Sequence, residues 1–311
     1  MADILTITLN PAIDKTYVVS DLVPEHKLRC SNPVVEPGGG GINVSKGLKE
    51  LGSSSTAIFF AGGKNGEVLH EMLQREQIQC MPIPVNGETR ESLVIIDQAS
   101  SKEFRIVVDG PEISKSAFEQ IIHYIEKERP SWLIASGSLP KGLPSDVYGI
   151  LAKTAKANGI KFILDTSGEA LSAALEQGVY MMKPNLKELS NLSGVKSLEF
   201  NDVPKAATQL VKDGKAQVVV VSMSSRGAFL VTADDHFHIP SPGVEQRSTV
   251  GAGDSMVSGM VWALQNKKSF KEMACWGVAC GTAATMNTGT LLFKKKDAEK
   301  LFAWIREKAD L

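Results

Sequence analysis

Ser248-Thr249-Val250-Gly251-Ala252-Gly253-Asp254-Ser255-Met256-Val257-Ser258 sets two glycines at the mouth of a helix whose apolar side continues through Met260, Val261 and Leu264. The glycines let the backbone turn tightly and leave the first helical amides unpaired. With the helix dipole behind them, those amides form an anion site. Asp254 falls in the same first turn. An acid beside an anion hole suits a base that takes a hydroxyl proton as a phosphoryl group arrives. Alone, a G-x-G-D is more simply a plain helix start with a favourably placed carboxylate.

Two further stretches extend the pattern. Glu36 to Gly52 carries four consecutive glycines into Ile42, Val44, Leu48 and Leu51, a helical stripe closed by a glycine. Such a run costs backbone entropy unless something must approach it closely. No Gly-Lys-Ser/Thr follows, so it is not a Walker A loop, and no strand and downstream acid make it a dinucleotide fingerprint. Lys183-Pro184-Asn185-Leu186-Lys187-Glu188 follows Val179 to Met182. Pro184 fits the first helical position, and Glu188 falls one turn in, where a carboxylate could hold hydrated Mg²⁺.

In this order the stretches resemble the ribokinase/PfkB family of sugar kinases, from Thr8-Leu9-Asn10-Pro11-Ala12-Ile13-Asp14 to Asn287-Thr288-Gly289-Thr290. Within it the chain is most similar to the phosphosugar kinases, and among them to the minor bacterial ATP-dependent 6-phosphofructokinase type. The narrower features are Pro24-Glu25-His26-Lys27-Leu28-Arg29-Cys30, Ser136-Gly137-Ser138-Leu139-Pro140 and Asp165-Thr166-Ser167-Gly168-Glu169-Ala170-Leu171. Where this chain has Gly38-Gly39-Gly40-Gly41, kinases of fructose 1-phosphate and tagatose 6-phosphate usually read Gly-Gly-Lys-Gly. The resemblance implies ATP-dependent phosphorylation of fructose 6-phosphate at its C1 hydroxyl. The alternatives are 1-phosphofructokinase or tagatose-6-phosphate kinase activity and, more remotely, a non-catalytic nucleotide- or sugar-binding regulator.

The resemblance also assigns residues. Asp254 would be the base, with Gly251, Ala252 and Gly253 offering amides to the phosphoryl oxygens. Asp14, Gly39 and Asn43 would meet the sugar. Arg90, Lys27 and Ser138 would meet its phosphate, while Arg29 and Arg105 read more simply as solvated lid residues than as extras. Lys183, Asn185, Ser222, Gly227, Ser248 and Val250 would serve ATP, and Glu188 would act on Mg²⁺ through water. Carbonyls of Ser248, Val250, Ala284, Asn287 and Gly289 would surround a K⁺ ion. Two positions depart from the pattern: Ser224 replaces a glycine, and Leu291 stands where close relatives have arginine. Asp165 reads either as outer-sphere to the metal or as a helix cap.

Composition narrows the class. Of 311 residues, 43% are hydrophobic and 22% charged, with a net charge of −1. This is ordinary for a globular protein and gives no basic field for nucleic acid or anionic membrane. No apolar run approaches a membrane span, and no basic-then-apolar leader opens the chain. Four scattered cysteines without C-x-x-C spacing read as free thiols of a cytoplasmic protein. His236 and His238 share a strand face but have no further ligand type beside them.

Apolar runs alternate with amphipathic helices along the chain. Strands are expected at Ile4–Leu9, Thr56–Phe60, Trp132–Ala135, Lys161–Leu164, Tyr180–Met182 and Gln217–Ser222. Helices are expected at Asn43–Glu50, Gly66–Gln74, Ser116–Glu128, Ser145–Ala157 and Val203–Asp213. This rhythm is that of an α/β, doubly wound, mostly parallel sheet flanked by helices, ribokinase-like by resemblance and one domain over 1–311. About 15–35 and 90–108, with strands Leu93–Ile96 and Phe104–Val108, break the rhythm and read as a small antiparallel β lid. The resemblance implies that this lid covers the sugar and pairs with a second copy, making a homodimer in which Lys27 reaches the neighbour's site. Val18, Val19, Val34, Leu93, Val94 and Ile106 supply it with apolar surface.

Overall fold

The computed structural model describes residues 3–30 and 32–309. The chain begins β1 (Ile4–Thr8), β2 (Ala12–Val19), β3 (Val34–Gly38), α1 (Gly40–Glu50), β4 (Thr56–Gly62), α2 (Gly63–Arg75), β5 (Gln79–Val85), β6 (Arg90–Asp97) and β7 (Lys102–Val107). It continues α3 (Lys115–Glu128), β8 (Trp132–Ser136), α4 (Val147–Ala157), β9 (Lys161–Asp165), α5 (Gly168–Leu175), β10 (Val179–Met182), α6 (Leu186–Leu192) and α7 (Val203–Lys212). It ends β11 (Ala216–Ser222), β12 (Ala228–Val231), β13 (His236–Ile239), α8 (Ala252–Gln265), α9 (Phe270–Thr285) and α10 (Lys295–Lys308).

Nine strands form the main sheet, in the order β13-β12-β11-β10-β9-β8-β1-β4-β5. All pairings are parallel except those of the β12–β13 edge. Strands covered on both faces carry unbroken apolar runs, as ILTIT in β1 does. One face packs on α3, α4, α5 and α7, through Phe118, Ile121, Leu151, Leu171 and Val203 among others. The other face meets α1, α8, α9 and α10 through Leu48, Val257, Met260, Cys275 and Ile305, with α2 adding Leu69 and Leu73. Chain order reverses between β8 and β1, and ligand crevices in open α/β sheets form at the carboxyl ends of strands at such a point.

The lid is a four-stranded sheet, β3-β2-β6-β7. Its outer pairings are antiparallel and its central pairing, β2 on β6, is parallel. It starts at Ala12 rather than Lys15 and runs to Gly38 rather than Val35, because β2 leaves the main sheet immediately after β1. Val19 and Val94, expected to need a partner, are already buried within this chain, whereas Val34, Val35, Phe104, Ile106, Val107 and Val108 are exposed. No helix among the described residues is long and apolar enough to cross a membrane, and all four cysteines are free thiols.

Candidate active site

The expected turn is present. Gly251 is the N-cap of α8 in the left-handed region, φ 70°, and any Cβ there would strike Leu292 Cδ2 at 2.6 Å. The amides of Gly251, Gly253 and Asp254 make no hydrogen bond among the described residues, while that of Ala252 reaches back to the Thr249 carbonyl at 3.4 Å. Ala252 is therefore the weakest of the three expected donors. Asp254 is fixed by two neighbours: Asn43 Nδ2 donates to Oδ2 at 2.9 Å and Ser136 Oγ to Oδ1 at 3.0 Å. Burial, and then the nearby Asp165 charge, push its pKa up to about 6, against both hydrogen bonds and Lys183. A base with its pKa near the working pH is well matched to proton transfer.

Ser136 was not among the expected site residues. It ends β8 at the sheet's switch point, directly opposite Asp165 of β9; its position before Gly137 at the end of an apolar strand was the available signal. Asp165 forms an ion pair with Lys183 Nζ at 3.2 Å, and the N-cap position of α5 is held by Ser167, without a side-chain hydrogen bond, rather than by Asp165. Lys183 is buried, yet its ammonium is held above its usual pKa: desolvation is outweighed by Asp165, Glu188 and Asp254. A Cβ on Gly253 would lie 3.4 Å from Lys183 Nζ, so this cation stands beside the anion turn.

Pro184 is not the first helical residue. Asn185 is the N-cap of α6, in a capping box with Glu188: Asn185 Oδ1 accepts from the Glu188 amide, and Glu188 Oε2 from the Asn185 amide. The N-x-x-E spacing carried that signal. Burial raises the Glu188 pKa, Asn185's hydrogen bonds oppose it, and Asp165 adds to it. Among the described residues no three His, Cys, Asp or Glu groups converge as a metal cage. Asp165 and Glu188 beside one lysine fit an ion carried on phosphates and met through water, not one held by protein alone. His238 instead packs its ring on Phe200 and Phe229.

The glycine run is explained by what abuts it. A Cβ on Gly38 would fall 2.1 Å from Asp14 Oδ2, one on Gly40 2.2 Å from Ser136 Oγ, and one on Gly41 2.4 Å from the Ile7 carbonyl. Gly39 lies at φ 115° against Thr8. α1 therefore starts inside the run, bringing Asn43 to Asp254 and Asp14 to the same crevice. Burial lifts Asp14 to about 6, with Arg90 and Lys46 opposing. Arg90 donates Nη2 to the Asn10 carbonyl at 3.0 Å, and Asn10 Nδ2 donates to Ser138 Oγ at 3.2 Å. Arg90 and Ser138 are thus joined through Asn10, with Asp14 near enough to feel the Arg90 charge. Lys27 and Arg29 do not join them: both are exposed between β2 and β3. Arg105 reaches elsewhere, donating to Thr249 Oγ1 at 3.1 Å.

On the other side of the turn opens a cavity of about 480 Å³, lined by Ser222, Ser224, Gly227, Thr249, Ala252 and Gly253 among others. Lys183 and Asn185 lie off its wall, joined to it where the Ser222 amide donates to the Pro184 carbonyl. Missed contributors are Ser241, Gly243, Val278 and Thr282, which no local motif marks. Ser224 adopts φ 52°, left-handed, in the place of the expected glycine. The Ser248–Val250 and Ala284–Gly289 segments run together, since the amides of Arg247 and Ser248 both donate to Thr285. The carbonyls of Ser248, Val250, Asn287 and Gly289 accept no hydrogen bond among the described residues, which suits a monovalent cation; that of Ala284 accepts from Asn287.

Residues 6–296 match the model of the pfkB family carbohydrate kinases. The chain is 42% identical over 307 residues to the ATP-dependent 6-phosphofructokinase isozyme 2 of Escherichia coli, covering 98% of this chain and 99% of that one. It is 33% identical over 305 residues to the 1-phosphofructokinase of Borreliella burgdorferi, covering 97% of each. The crystal structure of Escherichia coli phosphofructokinase-2 in complex with potassium superposes with a TM-score of 0.93, over 98% of this chain and 99% of that one. The chain belongs to the pfkB family of carbohydrate kinases.

Proposed function

We propose that this kinase transfers the γ-phosphoryl group of ATP to the C1 hydroxyl of fructose 6-phosphate, giving fructose 1,6-bisphosphate. The observation that carries the reading is Asp254, a carboxylate with its pKa near 6, aimed by Asn43 and Ser136 at the mouth of an anion turn. Asp254 takes the hydroxyl proton as the oxygen attacks phosphorus. The amides of Gly251 and Gly253, with Lys183 beside them, stabilise charge on the transferring group. A positioned base supplies roughly 10²–10⁴-fold in rate, and an oriented anion hole about 10²–10³-fold per donor. Mg²⁺ on the ATP phosphates would add Lewis-acid charge, met by Glu188 and Asn185 through water. K⁺ would settle among the carbonyls of Ser248, Val250, Ala284, Asn287 and Gly289 and brace the turn. ATP occupies the cavity along Ser222 and Gly227.

Asp14, Gly39 and Asn43 hold the sugar, and Arg90 and Ser138 its phosphate, Arg90 by exchanging the Asn10 carbonyl for the ligand. Two observations favour fructose 6-phosphate over fructose 1-phosphate or tagatose 6-phosphate. Identity is higher to the 6-phosphofructokinase relative. A lysine at position 40 would drive its Cβ into Ser136, the residue that aims Asp254. The exposed apolar strip on β3 and β7 supports a dimer formed lid to lid. Such an arrangement frees Lys27 to serve the neighbour's sugar phosphate. The deciding experiment is initial rates on the three phosphosugars at matched ATP and Mg²⁺. A kcat/KM for either alternative above that for fructose 6-phosphate would replace this reading.

A further inference from the structure

The strand pairing of the lid contains an electrostatic conflict. In the antiparallel β2–β3 register Glu36 stands directly opposite Asp14, so two carboxylates share one face of the sheet. The Glu36 side chain is 13% exposed, and Asp14 is pressed against the backbone at Gly38. Like charges directly opposite in a sheet are destabilising, and withdrawal from water enlarges the effect. Arg90 offsets the Asp14 charge from β6, but its fork is turned to the Asn10 carbonyl. The second cation is Lys46, in the second turn of α1. Its Nζ lies 3.5 Å from Glu36 Oε1, and its side chain is as withdrawn as that of Glu36. The other Glu36 oxygen accepts from Thr290 Oγ1, immediately after Gly289.

We propose that Lys46 is a positioning residue for the sugar site: anchored by Glu36, it supplies the positive charge that keeps Asp14 an acceptor of sugar hydroxyls, and Glu36 fixes that charge to the Gly289 loop. This rests on the reading of Asp14 as the sugar's carboxylate. The groups facing Asp14 are Arg90 and Ser92 from β6, Lys46 from α1 and Glu36 from β3. Burial raises its pKa first; Arg90 and Lys46 oppose the rise, Glu36 adds to it, and Ser92 opposes it. A protonated Asp14 loses acceptor capacity, so sugar affinity falls as pH drops through its pKa. Removing the Lys46 charge moves that fall to higher pH, and removing the Glu36 charge moves it lower. Opposite shifts from two residues that touch each other are not the mark of loosened packing.

Calorimetric titration of the whole protein with fructose 6-phosphate, from about pH 5 to about pH 8, reads these shifts. In Lys46→Met the midpoint of the affinity loss rises by about one unit. In Lys46→Arg it stays with the wild type, and in Glu36→Gln it falls. The ligand phosphate ionises at about pH 6 in every case, so it cancels between variants. Asp14→Asn separates the layers of the argument. If that variant binds the sugar as the wild type does, the reading of Asp14 fails and the proposal goes with it. If it loses affinity while Lys46→Met and Glu36→Gln leave the midpoint in place, or move it the same way, Lys46 merely packs and the proposal alone is overturned. Should Lys46→Met not fold, Lys46→Gln decides: a higher midpoint supports the proposal, and an unchanged or lower one ends it.

Discussion

The Asp254 turn and the lid are made of opposite materials. Around Asp254 every supporting element is core: α8 buries Ser255 to Val261, α9 buries Met273 to Cys280, and β8 is buried throughout. The base and its two hydrogen-bond donors come from three elements already locked by packing. The lid is one sheet thick, and β7 leaves Phe104, Ile106 and Val107 in water. Chemistry thus rests on a frame complete within one chain, whereas the surface above the sugar is left open. Substitutions in the frame should act on rate, and those in the lid on affinity and assembly.

Asp254→Asn tests the frame most severely. kcat should fall by ~10²–10⁴ with both substrate affinities within a fewfold; a variant keeping more than about a tenth of wild-type kcat would sink the assignment. Arg90→Ala should weaken phosphosugar binding by about 2–4 kcal/mol and leave the KM for ATP nearly unchanged. Equal losses for both substrates would erase the contrast between the two regions. The Asp254 substitution carries a second, opposite effect. A folded-state pKa of about 6, raised from the usual 3.8 by burial, gives a stability contribution present below about pH 4 and lost as pH rises through 6. At pH 7 the ionised carboxylate is a burden that asparagine escapes, so Asp254→Asn should be more stable by about 1–3 kcal/mol. Thermal unfolding at several pH values checks this: the gap should widen from about pH 4 to pH 7, and a flat gap would contradict the raised pKa.

In the lid, Ile106→Asp should weaken self-association by about tenfold or more, roughly 1.4 kcal/mol, lowering activity in step. Sedimentation across a dilution series follows both. A fully active wild-type monomer at assay concentration would leave the lid as a local cover. The smallest effect is expected at the nucleotide cavity. Ser224→Gly relieves a left-handed residue and should stabilise the protein by at most about 1 kcal/mol. A loss of stability or of ATP affinity would mean that the Ser224 hydroxyl has a partner of its own.

Much of this was legible because doubly covered strands announce themselves as apolar runs and the glycine turns as helix mouths. What stayed hidden had physical reasons. β5 was missed because Pro82 and Pro84 interrupt its pattern, yet β5 is the sheet's edge, where a missing amide donor is tolerated. The parallel β2–β6 contact escaped because strand patterns carry no direction. Ser136 and Asn10 lie in stretches that carried the resemblance, yet neither was given a role, because a single polar side chain at a strand end has no periodicity to say what it touches. The Glu36–Lys46 pair was hidden for a different reason: its meaning lies in the register between two strands.

The central parallel pairing of the lid also has a kinetic consequence. Parallel strands cannot be joined by a tight turn; between Val19 and Arg90 the chain must pass through β3, α1, β4, α2 and β5. The β6–β7 pair can form as a local hairpin, but the seam that joins it to β2 cannot. That seam closes only after β1, β4 and β5 have brought the two segments within reach, and such distant closures come late in folding. Amide hydrogen exchange should find this seam among the last protected during refolding and among the first to open in the native protein, ahead of β1 and β8. The part of the molecule that selects the sugar is then the part assembled last.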